Sequence, residues 1–365
     1  TVYNATTGEY VNSRAWDVSA QQDKSIIAWY ETSNSNGALK VHIGSNDEIF
    51  ANQYSKCLFA GIGYSDKCTA TEAVTNLELV NVKNVTSMFG MFSYLGSKAM
   101  TSLILPETFD TSNVVDMSNM FFRCGENVMT TLDLGTKFNT TNVTDMNGMF
   151  NNCGREKLTK LDLSSGTTET NTTQFNTSKV RNMSYMFTVT GYTAMTSLDL
   201  GNNFDTSNVT NMGYMFYDTG ARAMTSLDLR NKFDTSNVTN MHRMFMYCGS
   251  KKMTSLKLGD KFNTSKVTDM QKMFDTCGYL ALTSLDLGDL FYTTNVKDMY
   301  KMFYNCGATS MTALDLGAVF TKIPNEKITK QSSDYRDWED DKATNYNAYD
   351  NMFTETGKSG AVIYA

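Results

Sequence analysis

MTSLDLRNKFDTSNVTNMHRMFMYCGSKK, residues 224–252, decides the architecture because it recurs. Its Met-x-x-Met-Phe segment occurs eight times, ending at Phe92, Phe121, Phe150, Phe187, Phe216, Phe245, Phe274 and Phe303. Six of the seven intervals are 29 residues and one, Phe150 to Phe187, is 37. A fixed period of roughly 20–50 residues marks one supersecondary unit stacked on copies of itself. A leucine-rich-repeat-like solenoid is therefore expected. It should be β-rich, with parallel strands in about eight coils of 29 residues and short helical or 3-10 turns between them.

Within the unit, Met224-x-x-Leu227-x-Leu229 has the LxxLxL strand frame. Side chains alternate along a strand, so Leu227 and Leu229 share a face and Asp228 takes the other. Phe233 follows, and Phe204 and Phe262 are its equivalents. Asp234-Thr235-Ser236-Asn237 reads as a turn, because Asp and Asn bond their own backbone two residues on. Met241, Met244, Phe245 and Cys248 then fall at helix-like spacing. Asn240 is placed to cap that segment, as Asp145, Asp269 and Asp298 are in other copies. An isolated helix this short is marginal, so a 3-10 or single-turn segment held by packing is expected. Gly249 supplies the exit, as Gly125, Gly154, Gly220, Gly278 and Gly307 do elsewhere. No coil buries its apolar side alone, so Leu, Val, Met and Phe should run in ladders through the stack. At about 4.8 Å per coil, seven intervals span on the order of 34 Å.

Three regions follow: a β cap over residues 1–56, the solenoid over 57–316, and an enlarged final coil with cap over 317–365. Ile26–Tyr30 and Leu39–Ile43 read as a hairpin around Asn34–Gly37. Leu58-Phe59 is a degraded Met-Phe, and Met352-Phe353 repeats the motif after the polar stretch Thr321–Asn347. Ala361–Tyr364 looks like a strand. The long interval carries its extra residues in Ser164–Thr173, a polar insertion after Leu161-Asp162-Leu163. Insertions map to loops on one side of a solenoid, often the binding side, although a tolerated surface loop explains it equally.

The net charge of −6 argues against nucleic acid and anionic membrane surfaces. No apolar run approaches the roughly 18 residues of a membrane span. Of seven cysteines, Cys124, Cys153, Cys248, Cys277 and Cys306 share one repeat position with Thr190 and Thr219, which means small and buried. No CxxC pair exists, so zinc is not expected, nor any other metal or cofactor. Cys57 and Cys68 lie outside the register and are disulfide candidates. Ten Asn-x-Ser/Thr sequons occur, among them Asn84, Asn142, Asn208 and Asn237; the repeat itself generates many of them. Glycosylation at those sites would require a eukaryotic secretory route. The acidic run Asp337-Trp338-Glu339-Asp340-Asp341 lacks the calcium-loop pattern and reads as a solvated loop.

The outward residue between paired leucines is Asp133, Asp162, Asp199, Asp228, Lys257, Asp286 and Asp315. Stacked like charges about 4.8 Å apart repel by roughly 0.9 kcal/mol per pair in water. A repeat that keeps them implies compensation from Ser and Thr hydroxyls, a cation or a basic partner. A solvated strip copied by duplication is the plain alternative. This column is the candidate binding face.

The run F-[DN]-T-S-[NK]-V-x-[DN]-M-x-x-M-F followed by [ML]-T-[ST]-L-x-L resembles the BspA-like leucine-rich repeat surface proteins. Phe204-Asp205-Thr206-Ser207-Asn208-Val209 through Met215-Phe216 matches closely, and Ile26–Tyr30, Val41–Gly44 and Ile49–Asn52 look like that family's lead-in. The resemblance covers roughly residues 24–316. This chain departs from it in the extra residues Gly220–Ala223 ahead of each strand. The resemblance implies a secreted or cell-surface protein that contacts other cells. The expected partners are a protein or glycan on another cell or matrix, or copies of the chain itself. Two functions compete: an extracellular adhesin or binding scaffold, and a subunit that assembles into a filament or surface layer. An enzyme is not expected, because GxSxG, HExxH and P-loop motifs are absent and only two His occur.

Overall fold

The computed structural model describes residues 3–4, 9–10, 15–17, 25–32, 39–45, 47–64, 74–164, 175–329 and 345–364. Eight three-residue strands recur, Ser102–Ile104, Thr131–Asp133, Lys160–Asp162, Ser197–Asp199, Ser226–Asp228, Ser255–Lys257, Ser284–Asp286 and Ala313–Asp315. They pair in parallel and in register, with Leu103 on Leu132, Leu161 on Leu198, Leu227 on Leu256 and Leu285 on Leu314. A one-residue slip would turn every Leu outward, so burial holds the register. The molecule is a repeat solenoid. Among the described residues, no helix is long and apolar enough to cross a membrane.

The second wall of each coil is the Met-x-x-Met-Phe segment, and it is not helical. Its N–H groups alternate in purpose. In one coil Met241, Arg243, Phe245 and Tyr247 donate to Asp269, Gln271, Met273 and Asp275 of the next coil, at 2.8–3.0 Å. Met244, Met246 and Cys248 donate to Met241, Arg243 and Phe245 of their own coil, closing successive four-residue turns. Arg243, Tyr247 and Gly249 all have positive φ, at 55°, 60° and 51°. A right-handed helix cannot hold a left-handed residue every fourth position. The expected 3-10 turns are thus replaced by a turn ribbon, and the one 3-10 helix among the described residues is Leu77–Leu79. Asn240, expected as a helix cap, accepts from the His242 N–H at 2.9 Å and so closes a turn. Its row forms unbroken parallel bridges from Tyr54 and Ser87 to Asp298.

Left-handed backbone costs non-glycine residues roughly 1–2 kcal/mol each. The ribbon accepts it at Tyr185, Val189 and Tyr214, among others. Gly249 is different, because a Cβ there would lie 2.4 Å from the Cβ of Met253. The exit therefore needs glycine for space as well as for φ.

Two Phe ladders fill the core. Phe59, Phe92, Phe121, Phe150, Phe187, Phe216, Phe245, Phe274, Phe303 and Phe353 stack with centroids 5.3–5.7 Å apart and planes within 13°. Phe138, Phe175, Phe204, Phe233, Phe262, Phe291 and Phe320 form the second, at 6.2–6.4 Å. Offset parallel rings of this kind contribute about 0.5–1.5 kcal/mol per pair beyond burial. Phe175 keeps its place after the long interval at a φ of 38°. Packing in the ladder outweighs its backbone preference. Residues 165–174, most of the insertion, lie outside the described residues.

A buried polar ladder runs beside the aromatic ones. Thr111, Thr140, Thr177, Thr206, Thr235 and Thr264 are at most 1 % exposed. Each hydroxyl donates at 2.6–2.8 Å to a carbonyl of the next coil, Thr235 to Asn263 for example. The Thr of the Asp-Thr-Ser turn is therefore a clamp between coils. The Asx turn itself forms as expected, with the Ser236 N–H on Asp234 Oδ1 at 2.9 Å.

At the start, Ile26–Thr32 and Leu39–Ser45 pair antiparallel, and Ala15–Asp17 adds a third strand. The turn expected at Asn34–Gly37 falls in residues 33–38, which lie outside the described residues. Parallel stacking begins at Ile49–Phe50 against Val80–Asn81, ahead of the boundary expected at residue 57. At the far end Val362–Tyr364 pairs parallel with Ala313–Asp315, so the final coil stays within the stack. Replacing Thr235 by Val keeps the shape and orphans the Asn263 carbonyl. An isosteric loss of this kind should cost about 1–3 kcal/mol, read as a lower urea midpoint at an unchanged slope.

Candidate interaction faces

The acidic column is in place but largely used by the fold. Asp133, Asp162, Asp199, Asp228, Asp286 and Asp315 each accept the backbone N–H two residues on, at 2.8–2.9 Å. Each carboxylate thus ends its own strand in a turn. Neighbouring cations add compensation: Arg230 reaches Asp199 at 2.9 Å and Lys160 reaches Asp162 at 2.7 Å. Lys257 sits directly across from Asp228. For Asp162, burial pushes the pKa up, but the bonds from Lys160 and Ser164 outweigh it and hold the carboxyl below its usual range. Backbone amides, which were not among the expected compensations, relieve most of the strip's need for a partner.

The sequon asparagines also bridge coils. The side-chain amides of Asn142, Asn208 and Asn237 donate to the carbonyls of Ser112, Ser178 and Ser207 at 2.7–2.8 Å. Asn84, in an earlier coil, is exposed. The five repeat cysteines are fully buried free thiols. Burial pushes Cys306 up to about 12 and raises the others too. Where Thr substitutes, its hydroxyl gains a bond across coils, from Thr190 to the Phe150 carbonyl at 2.6 Å and from Thr219 to that of Phe187 at 2.7 Å. Cys57 is exposed and free, and its expected partner Cys68 lies outside the described residues, as does the run 337–341.

The variable positions of the turn ribbon build a second face. Tyr and cations cross it from coil to coil. Tyr185 stacks on Tyr214 at 4.6 Å, and Tyr217 meets Tyr247 edge-on at 6.0 Å. Arg155 and Arg222 each lie 5.0 Å from the Tyr192 ring centre, Arg243 lies 5.4 Å from Tyr214, and Lys301 lies 4.9 Å from Tyr304. Such cation–π contacts are worth roughly 0.5–2 kcal/mol. Tyr and Arg are the residues enriched at protein interfaces. Beneath them Asp275 is buried, and burial pushes its pKa up to about 6 despite Thr276, Lys272, Lys301 and Arg243 nearby.

Residues 64–168, 158–277 and 222–319 match the family model described as Mycoplasma protein of unknown function, DUF285. The chain belongs to this family. The DUF285 match falls in three overlapping segments because the repeat satisfies it in several frames. No curated protein and no solved structure matches significantly. The tyrosine face of this DUF285 chain was missed by periodicity, which weights the constant positions. The signal lay in the inconstant ones: Tyr185, Tyr214, Arg243, Lys272 and Lys301 all occupy one slot between fixed methionines, where Arg243 and Lys272 are buried and the other three half-buried.

Two outcomes follow. Iodoacetamide should alkylate Cys57 in the native protein and reach Cys124, Cys153, Cys248, Cys277 and Cys306 only on unfolding, as peptide mass spectrometry would show. Asp275 binds its proton more tightly folded than unfolded, so its stabilising contribution is complete below pH about 4 and is lost as pH rises through about 6. Asp275→Asn should therefore gain about 1–3 kcal/mol relative to wild type between pH 4 and pH 7, measured by urea unfolding at both.

Proposed function

We propose that the protein is a non-enzymatic, extracellular binding scaffold that acts as a cell-surface adhesin. The tyrosine and cation face across successive coils carries this reading. It presents large rigid side chains on a backbone held by neighbouring coils, which keeps the entropy cost of binding low. The likeness of the repeat to BspA-like surface proteins supports the location and the role. The two histidines are engaged structurally: His42 stacks on Trp29 at 5.0 Å, and His242 Nδ1 lies 3.5 Å from Asp269. The test is adhesion of purified protein to fixed animal cells, with antibody labelling of intact source cells for location. Tyr217→Ser with Lys301→Glu should reduce adhesion at least tenfold, whereas Asp199→Asn, Asp228→Asn and Asp286→Asn together should leave it within twofold. The opposite pattern would move the site to the acidic column, and no adhesion by wild type would end the adhesin reading.

Assembly into filaments is the second reading, and the ends of the stack favour it. Tyr54, Leu58 and Ile62 are exposed at one end and Tyr349, Val362, Ile363 and Tyr364 at the other. Equivalent N–H groups repeat their direction in every coil, Met241 donating forward to Asp269 and Gly249 back to Thr219, so the two ends are complementary and a head-to-tail contact would not close. Electron microscopy distinguishes filaments from a monodisperse particle.

A further inference from the structure

A groove interrupts the tyrosine face. Tyr192 and Tyr279 hold the same repeat position three coils apart, about 14 Å at the usual rise. The coils between them carry the small, buried Ala221 and Ser250 there, so the surface is recessed. Tyr247, Asp218, Thr276 and Asn305 line the side of a cavity of about 360 Å³. That is within the range of roughly 300–1,000 Å³ typical of small-ligand sites.

Three observations define the occupant. Arg222 and Lys251 occupy one slot on adjacent coils beside this groove, and both are exposed. Among the described residues neither forms an ion pair. Adjacent like charges without a counter-ion favour an anion. Asn305 Oδ1 is buried and has no hydrogen-bond donor, so it needs a hydroxyl or amine. The wall's main chain is already consumed: Asp218, Tyr247, Thr276 and Asn305 donate their N–H groups to the next coil at 2.7–3.0 Å. An extended peptide therefore finds no strand edge to join. The groove then offers side chains only: aromatic rings, oxygen acceptors, and two cations that lie over rings, Arg222 at 5.0 Å from Tyr192 and Lys251 at 6.0 Å from Tyr279. We infer that the groove binds a short carboxylate-bearing oligosaccharide, its acid on Arg222 and Lys251, its hydroxyls on Asn305 and Asp218, and a sugar face against Tyr279 or Tyr247. This rests on the scaffold reading and names the chemistry its face recognises.

Calorimetric titration of the full chain with 3′-sialyllactose, a hyaluronan tetrasaccharide and neutral lactose tests it. One or both acidic sugars should bind at least tenfold more tightly than lactose, and which one binds separates a sialic from a uronic acid source. Tyr279→Ser should weaken that sugar tenfold or more. Arg222→Gln with Lys251→Gln should erase its advantage over lactose. Asn305→Asp keeps the acceptor and should retain lactose-level hydroxyl binding, whereas Asn305→Gly should not; unchanged urea midpoints confirm that each variant folds. Failure of both acidic sugars, equal binding of lactose, or tighter binding of a sulfotyrosine peptide at the same residues would overturn the inference. If the sugars fail while Tyr217→Ser with Lys301→Glu still abolishes cell adhesion, only the groove assignment falls.

Discussion

Every coil must hand its main chain to the next at one common rise. That constraint governs the rest of the molecule. On the strand wall it is met by parallel pairing of Leu-centred triplets. On the ribbon wall alternate N–H groups cross to the next coil and the others close turns. The two walls advance together only if the core between them is the same in each coil. Phe, Met, Val and Leu recur at fixed positions for that reason, and the rings stack at nearly constant separation. Stability in such a stack is close to a sum of coil and interface contributions.

The polar residues of the repeat serve the same constraint. Thr235 clamps a carbonyl of the following coil, and Asn237 reaches back to the preceding one. Asp228, Asp234 and Asn240 each close a turn through the N–H two residues on. A chain with this much Asn, Asp, Ser and Thr looks soluble and loosely held in composition. In the fold those groups are the hydrogen bonds that begin and end each segment, which satisfies backbone groups that would otherwise be orphaned. The acidic strip is therefore first a set of turn closures, and its outward charge is secondary.

What this frame leaves unconstrained is the pair of positions between the two methionines of each turn ribbon. There Ser118, Asn147, Gly213, His242, Gln271 and Tyr300 share a slot with no common chemistry. Freedom at such positions lets one region collect tyrosines and cations without disturbing the stack. Tyr192 and Tyr279 with Ala221 and Ser250 between them illustrate how recesses arise: a repeat makes a groove when bulk is omitted from intermediate coils.

The sequence by itself determined the solenoid, its period, the Leu strand frame, the Asx turn at Asp234, the exit at Gly249 and the return of the ladder at Phe59 and Phe353. Recurrence of the same residue types forces these, since each coil must meet a copy of itself even where the interval lengthens, as from Phe303 to Phe353. Only the tertiary structure decided that the Met-x-x-Met-Phe segment is a turn ribbon. Spacing of three and four is shared by a helix and by overlapping turns, and the choice falls to N–H groups whose partners lie 28 residues away. It also decided where side chains of different coils meet. The contact of Arg222 with Tyr192, and the recess between Tyr192 and Tyr279, join residues 30 and 87 positions apart, distances over which a linear pattern carries no information until stacking brings them side by side.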